Sequence, residues 1–477
     1  MILGTAVALL AVVIVLYFLG ARIVLDGGGG LHVRFVESAA TRARNLERHR
    51  EQQRAQASQA GSPLPAPLPD ATAVSPATPG GGGAGAVDAD LPPYWTDFRG
   101  PARDGVYRER AVLTTWPSAG LTPLWKQPVG EGYASFVIAG GHAFTIEQRA
   151  DREVVAAYDV RTGRELWTHA WPARFSEMMG GDGPRATPTW SGGMLYALGA
   201  SGELRCLDAA TGRMIWRTNM LEDAGASNLQ WGMSAAPLVV DDTVVVLPGG
   251  DAGKSIVAYD RRTGKIAWTA QDGRQSYASP MLATIAGERQ LLVYSASRVM
   301  GLSPANGAIR WEFPWQTQPD VNAAQPIVIG PNRVFVSTGY GKGAAVVEVT
   351  PDGTGFAVRE VWRNIRMKNQ FTSSVLHDGF IYGLDESILA CLDAATGELK
   401  WKGGRYGYGQ LMIAGDRLIV LTEDGDLVLV RATPERHDEL SRFTAISGRT
   451  WNHPAMADGV LLVRNLREMA AFDLRVK

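Results

Sequence analysis

Cysteine is nearly absent from this chain: 477 residues carry only Cys206 and Cys391. Two thiols permit at most one bridge, which excludes a disulfide scaffold. No two cysteines are adjacent and no C-x-x-C-H occurs, so the chain has no site for covalent c-type haem. The seven histidines (32, 49, 142, 169, 377, 437 and 453) lack metal-ligand spacing, which argues against a zinc centre. Neither sign of charge dominates. A formal charge of −1 is at odds with a nucleic-acid binder, which needs a basic patch. A phosphate loop is missing too: TGYGKGAA (338–345) has glycines but no G-x-x-x-x-G-K-[ST], and it reads as a turn between strands.

Long apolar runs are equally scarce, with one exception. Ile2 to Leu19 is nearly unbroken and Met1 to Ala21 carries no charged side chain, a length that spans a bilayer as a helix. The segment lacks a basic start and has only a weak Leu19-Gly20-Ala21 cleavage site, so an uncleaved anchor is favoured over a cleaved signal. Residues 22–60 hold seven arginines against four acids, a surplus that the positive-inside rule would keep in the cytoplasm. From Glu37 to Ala60 the chain is helix-prone and polar almost all round, as in a solvated stalk. Residues 61–93, rich in Pro, Ala and Gly, read as a flexible linker.

What the chain has in abundance is glycine (55) and tryptophan (14), and from Tyr94 onward they recur in register. AYDVRTGRELW (157–167), CLDAATGRMIW (206–216), AYDRRTGKIAW (258–268), GLSPANGAIRW (301–311) and CLDAATGELKW (391–401) align on one turn. The aspartates (Asp159, Asp208, Asp260, Asp393) accept hydrogen bonds from the turn, and the glycines (Gly163, Gly212, Gly264, Gly307, Gly397) supply positive φ. The closing tryptophans (Trp167, Trp216, Trp268, Trp311, Trp401) are large enough to fill the gap between neighbouring sheets. Two degenerate units end at Trp362 and near Phe443.

The ends are complementary. Trp125 has the closing aromatic without a turn, and AAFDLRV (470–476) has the start of a repeat without its Trp. Joined, they predict an all-β, eight-bladed propeller of four-stranded blades over residues 94–477, closed by pairing N- and C-terminal strands. Aromatic spacings of 42, 49, 52, 43, 51, 39 and 42 residues fit one blade each. The two cysteines, four blades apart, should be buried and unpaired.

The D-x-x-T-G-x-x-x-W unit resembles the repeat of the pyrroloquinoline-quinone (PQQ)-binding-like β-propeller superfamily, over residues 94–477. The resemblance implies either of two roles: PQQ-dependent alcohol or sugar dehydrogenase, or non-catalytic propeller of the outer-membrane assembly machinery. WTDFRGPARDG (95–105) is similar to the leading segment of many exported bacterial members, which implies an extracytoplasmic propeller despite the arginine surplus. Dehydrogenases of this family hold calcium with a Glu and an Asn, use an Asp as base, and stack the quinone between a Trp and a vicinal disulfide. That disulfide is lacking here, and no family cofactor motif surrounds Asp182, Asn322, Asn369, Trp231 or Trp451, so no cofactor is expected, with PQQ and calcium as the alternative.

Propellers place function at the channel mouth, where one blade leads into the innermost strand of the next. The residues expected to converge there are Asp182, Arg185, Trp231, Tyr277, Asn322, Gln325, Lys368, Asn369, Arg405, Tyr408, Gln410, Trp451, Asn452 and His453. The competing reading is that the aromatics cap blade ends while the polar groups satisfy buried backbone. The function expected is a membrane-anchored, single-pass, non-catalytic scaffold of the cell envelope, monomeric, with a protein or glycan partner and no nucleic acid. A quinone-dependent oxidoreductase is the alternative, and a carbohydrate-active enzyme the third reading.

Overall fold

In the computed structural model, residues 15–16, 21–25, 31–35, 37–59, 94–318 and 320–476 are described. Eight antiparallel sheets follow one another along the chain, the first with strands Val137–Ala139, His142–Arg149, Arg152–Asp159 and Glu165–Pro172. The innermost strands of blades two to eight start at Thr189, Leu238, Met281, Ile327, Val375, Gln410 and Ala455. The ring closes as expected: Trp125–Pro128 is the outermost strand of the eighth blade, pairing Ala471 with Trp125 and Met469 with Gln127.

The repeat turn works through two linked contacts. In the first blade Asp159 Oδ1 accepts the amides of Arg161 (3.1 Å) and Thr162 (2.8 Å) and the Thr162 hydroxyl. Gly163 then has φ +67°, and a Cβ there would come within 2.6 Å of the Trp125 ring from the preceding blade. The same approach sets Trp167 against Gly212, Trp216 against Gly264, Trp268 against Gly307 and Trp362 against Gly397. Glycine is thus required twice, for its backbone and for the ring pressed onto it. Five of the indole N–H groups reach across the seam, among them Trp125, which donates to Val160 O at 2.8 Å, Trp216 to Arg261 O at 2.9 Å, and Trp401 to Thr433 O at 2.7 Å.

The split repeat also has its glycine. Phe443 of the seventh blade packs on Gly120 (φ +82°), five residues before Trp125, so the turn credited to neither end is supplied by the N-terminal side. Cys206 and Cys391 are free and buried in the second and sixth blades. Burial pushes each thiol up to about 12, so both are inert packing.

Two expectations concern the N-terminus. The expected transmembrane helix over Met1–Ala21 falls almost wholly outside the described residues, and among those described no helix is long and apolar enough to cross a membrane. Ala21–Leu25 and Leu31–Phe35 form a hairpin. The expected solvated stalk differs, because the helix Ala39–Gln59 lies against the seam between the last and first blades. Arg50 is fully buried there, donating to Pro128 O (2.7 Å) and Gln127 Oε1 (3.0 Å) and lying 4.9 Å from the Tyr158 ring centroid. The helix lacks an apolar face, so a hydrophobic pattern misses it; the contact is made by an inserted guanidinium.

Removing Phe472 onward reopens a closed sheet. The expected outcome is a lower urea midpoint for the whole ring in one transition. Loss confined to the eighth blade, with the other seven still folding cooperatively at the full-length midpoint, would contradict closure as the source of stability.

Candidate functional site

The channel is built in three layers, and each draws on a different part of the sequence. The first is a girdle where the innermost strands begin. Ser135 N donates to Thr187 Oγ1 (2.9 Å), Thr189 Oγ1 to Pro237 O (2.6 Å), Ala236 N to Ser279 Oγ (2.9 Å) and Ser279 N to Gln325 Oε1 (2.8 Å). Gln325 N continues to Ser373 Oγ (2.9 Å), Thr372 Oγ1 to Gly409 O (2.6 Å), and His453 Nε2 meets Leu411 O (3.0 Å). Ser135 Oγ donates to His453 O and completes the circuit through all eight blades. Small residues before most inner strands serve this purpose: their short side chains reach the backbone of a neighbouring blade.

Against the girdle lies the leading segment, whose Arg103 reaches Thr189 Oγ1 at 3.2 Å. Trp95 bridges Ile138 of the first blade, and Val106–Tyr107 adds a parallel fifth strand to the inner edge of the seventh. Between them Arg103, buried and ion-paired with Asp97 at 2.9 Å, donates to Ala236 O (3.2 Å), Pro280 O (2.7 Å) and Pro237 O. Arg99 donates to Ser374 O of the sixth blade at 2.7 Å, and the Phe98 ring centroid lies 5.7 Å from that of His453. A segment that touches the inner strands of blades one to four and six to eight occupies the channel itself.

Above the girdle sits an aromatic and arginine layer. Trp451 stacks on Tyr133 (centroids 5.1 Å, 30°) and packs on Phe371 (4.8 Å), which meets Tyr408 (5.5 Å). Arg449 lies over Trp451 at 4.4 Å, and Arg185 over Phe175 at 4.6 Å. Trp451 Nε1 donates to Glu423 Oε1 at 2.9 Å. Trp231 pairs with Tyr277 (5.4 Å) on the third and fourth blades. The loop between the first and second blades crosses over this layer. Arg449 holds Met179 O (3.0 Å) and Gly180 O (3.1 Å), and Met178 is 87% exposed.

The expected site residues therefore divide. Arg185, Trp451 and Tyr408 share the aromatic layer, with Trp231 and Tyr277 as a separate pair and Asp182 bonded to Ser176 in the crossing loop. Asn322, Gln325, Asn369, Gln410, Asn452 and His453 are buried and bonded to backbone; Asn322 Nδ2, for example, donates to Ser295 O at 2.8 Å. Lys368 is paired with Glu386 (3.2 Å) and Asp385 (3.5 Å). Burial alone would raise Asp385, but Lys402 and Lys368 hold it below the usual carboxylate range. Arg405 is exposed on the strand Leu399–Arg405 and makes no contact with the cluster. Tyr133, Phe371, Phe175, Arg449 and Glu423 were not anticipated. A signal existed for two of them: Tyr133, Arg185, Tyr277, Phe371 and Trp451 all stand four residues before an innermost strand.

With this geometry in place, comparison with known proteins is informative. The family profile described as outer membrane protein assembly factor BamB matches residues 150–403, more than half of the chain. The chain belongs to this BamB family of PQQ-type repeats. BamB of Yersinia pestis is 22% identical over 62% of this chain and 75% of that protein. A quinohemoprotein alcohol dehydrogenase of Comamonas testosteroni is 32% identical, but over 25% of this chain and 17% of the enzyme. The crystal structure of BamB from Moraxella catarrhalis superposes with a TM-score of 0.55 over 75% of this chain and 99% of that one, at 16% identity, a likeness of fold.

PQQ with calcium, which the wider superfamily brings into question, does not fit the residues of this BamB-family chain. The Trp451 ring is already stacked on Tyr133 beneath Arg449, Trp231 leans on Tyr277, and the amides of Asn322 and Asn369 are committed to backbone carbonyls. Among the described residues no three His, Cys, Asp or Glu side chains converge as a metal site.

His453 marks the girdle's sensitivity to acid. Burial, and then the Arg99 charge, push its imidazole down to about 3 from an ordinary 6.5, although the Leu411 and Pro454 carbonyls pull the other way. A depressed histidine contributes stability that is full above its unfolded pKa and is lost as pH falls through the folded one. Thermal melts should therefore weaken from about pH 6.5 toward about pH 3, and His453→Gln should flatten that limb. An unchanged acid limb in the variant would contradict a neutral, buried His453.

Proposed function

We propose that this chain is a non-catalytic binding propeller of the cell envelope that holds a protein partner on the loop face above its channel, in the assembly of outer-membrane proteins or a related envelope task. The observation that carries the reading is the mouth itself: Trp451, Tyr133, Phe371, Arg185 and Arg449 packed together, under a crossing loop whose Met178 projects into solvent. Aromatic and arginine side chains dominate protein-binding hot spots, and methionine adapts to an apolar partner surface. A glycan would call instead for exposed planar rings ringed by free polar groups, and the rings here are packed on one another. The BamB membership supports the same reading, and the lack of fit to a quinone removes the main support for an oxidoreductase. Residues 94–477 form the binding domain in this proposal, with Met1–Ala21 as the single-pass anchor, residues 61–93 as tether, and the propeller outside the cytoplasm as a monomer.

A photo-crosslinking residue at position 178 should capture a defined envelope protein, whereas one at position 352, in the blade-five hairpin, should not. Met178→Asp on the surface, and Trp451→Ala beneath it, should each weaken that capture roughly tenfold while melting stays near wild type. Equal capture from both positions, or stoichiometric PQQ uptake with alcohol-dependent dye reduction, would overturn the proposal.

A further inference from the structure

The helix Ala39–Gln59 has a direction, and that direction fixes where the chain before it leaves the ring. Strands alternate within a blade and the innermost runs away from the mouth, so the repeat turn between the third and fourth strands lies at the far end. In the first blade that turn holds Gly163, whose carbonyl accepts from Gln127 Nε2. From Gln127 the chain climbs to Glu131 at the mouth. The Glu131 amide donates to Gln148 O at 3.0 Å, next to the turn between the second and third strands, and a Cβ on Gly183 of the crossing loop would come within 2.6 Å of Glu131 O. The helix runs the opposite way. Arg42 pairs with Glu131, and Arg50, about 12 Å further along at the helical rise, bonds Gln127 Oε1 and Pro128 O. The helix N-terminus therefore stands at the rim of the mouth.

The chain that precedes it has little reach. The hairpin pairs Ala21 with Phe35, which sets their backbones about 5 Å apart. From Phe35 to Ala39 is a step of at most about 14 Å. Ala21, the last residue of the uncharged run from Met1, thus lies within roughly 20 Å of the helix N-terminus. The same face carries the two most exposed large apolar side chains among the described residues, Met178 (87%) and Ile365 (70%). Each stands in the loop that follows the outermost strand of its blade, the first and the fifth, on opposite sides of the ring. Exposed charges on the mouth loops are mixed, Arg366 and Arg405 together with Glu386 and Asp424, and not the basic cluster that an anionic bilayer attracts.

We propose that the mouth faces the membrane that carries the anchor, and that its partner is an integral protein of that same bilayer, whose apolar surface outside the membrane meets Met178 and Ile365. This rests on the reading of the chain as an anchored, protein-binding propeller, and adds which way the ring is turned and where the partner resides. The docked helix sets the orientation. With the helix released, residues 61–93 alone would tie the ring to the anchored segment, and either face could approach the bilayer.

The test uses the full chain in lipid nanodiscs, with one dye attached at Met178→Cys, Ile365→Cys or Ala210→Cys, the last in the repeat turn of the second blade. Cys206 and Cys391 are buried and escape the label. Energy transfer to an acceptor on the lipid headgroups should be roughly twofold greater at 178 and 365 than at 210, which lies about one strand length, or 20 Å, further from the mouth. Arg50→Glu, which sets a second carboxylate against Glu165, should undock the helix and erase the difference. Transfer at 210 equal to or above that at 178, a difference that survives Arg50→Glu, or a full chain released from membranes by salt would each overturn the proposal. In intact cells, the protein crosslinked from position 178 should stay in the membrane through alkaline carbonate extraction. A crosslinked protein that carbonate releases would overturn the membrane partner and leave the protein-binding mouth standing, whereas crosslinks to lipid alone would overturn both.

Discussion

Arg103 is where the ring is held from inside. Each blade of a propeller packs mainly on its two neighbours, so nothing in the repeat itself spans the channel. The inner strands also leave one edge unpaired, facing the axis. Arg103 joins carbonyls of the third and fourth blades through one guanidinium, while Asp97 neutralises it. The segment around it pairs with the first blade at Trp95 and extends the seventh at Val106–Tyr107. The circumferential girdle and the tryptophan–glycine seams act around the ring, whereas this segment acts across it.

The blades were legible because their signal is local and repeated. Asp159, Gly163 and Trp167 stand at fixed offsets for reasons of turn geometry and ring size, and the same reasons recur in each copy. Closure could be read from Trp125 and Ala470–Val476 because a broken repeat is still recognisable. Gly120 escaped notice because its spacing to Trp125 is five residues, where an intact repeat has four. The buried roles of Asn322, Asn369 and Asn452 escaped for another reason: nothing local distinguishes an amide that binds a ligand from one that satisfies a carbonyl on a neighbouring strand. Arg50 and Arg103 are harder still. The carbonyls they bind lie tens of residues away or more, and a charged residue carries no periodic signature of burial.

The relatives that share this repeat include an outer membrane protein assembly factor and a quinohemoprotein alcohol dehydrogenase, and the repeat does not choose between them because it only fills space. The choice lies at the mouth. Here the tryptophans that could face a flat cofactor are spent on Tyr133, Phe371 and Tyr277, and the two cysteines are buried on separate blades with their thiols pushed up to about 12. Packed aromatics beside arginines, with an exposed thioether above them, suit a protein surface better than a reaction.

Hydrogen–deuterium exchange across Trp95–Tyr107 in the intact chain tests the braced channel most directly. The amides of Trp95, Arg103 and Gly105 are bonded to Ile138 O, Gly100 O and Arg99 O at 2.8–2.9 Å. If the segment is part of the ring's core, these amides exchange only with global unfolding, as slowly as the innermost strands. Exchange at the rate of an exposed loop, with the blades still protected, would contradict it.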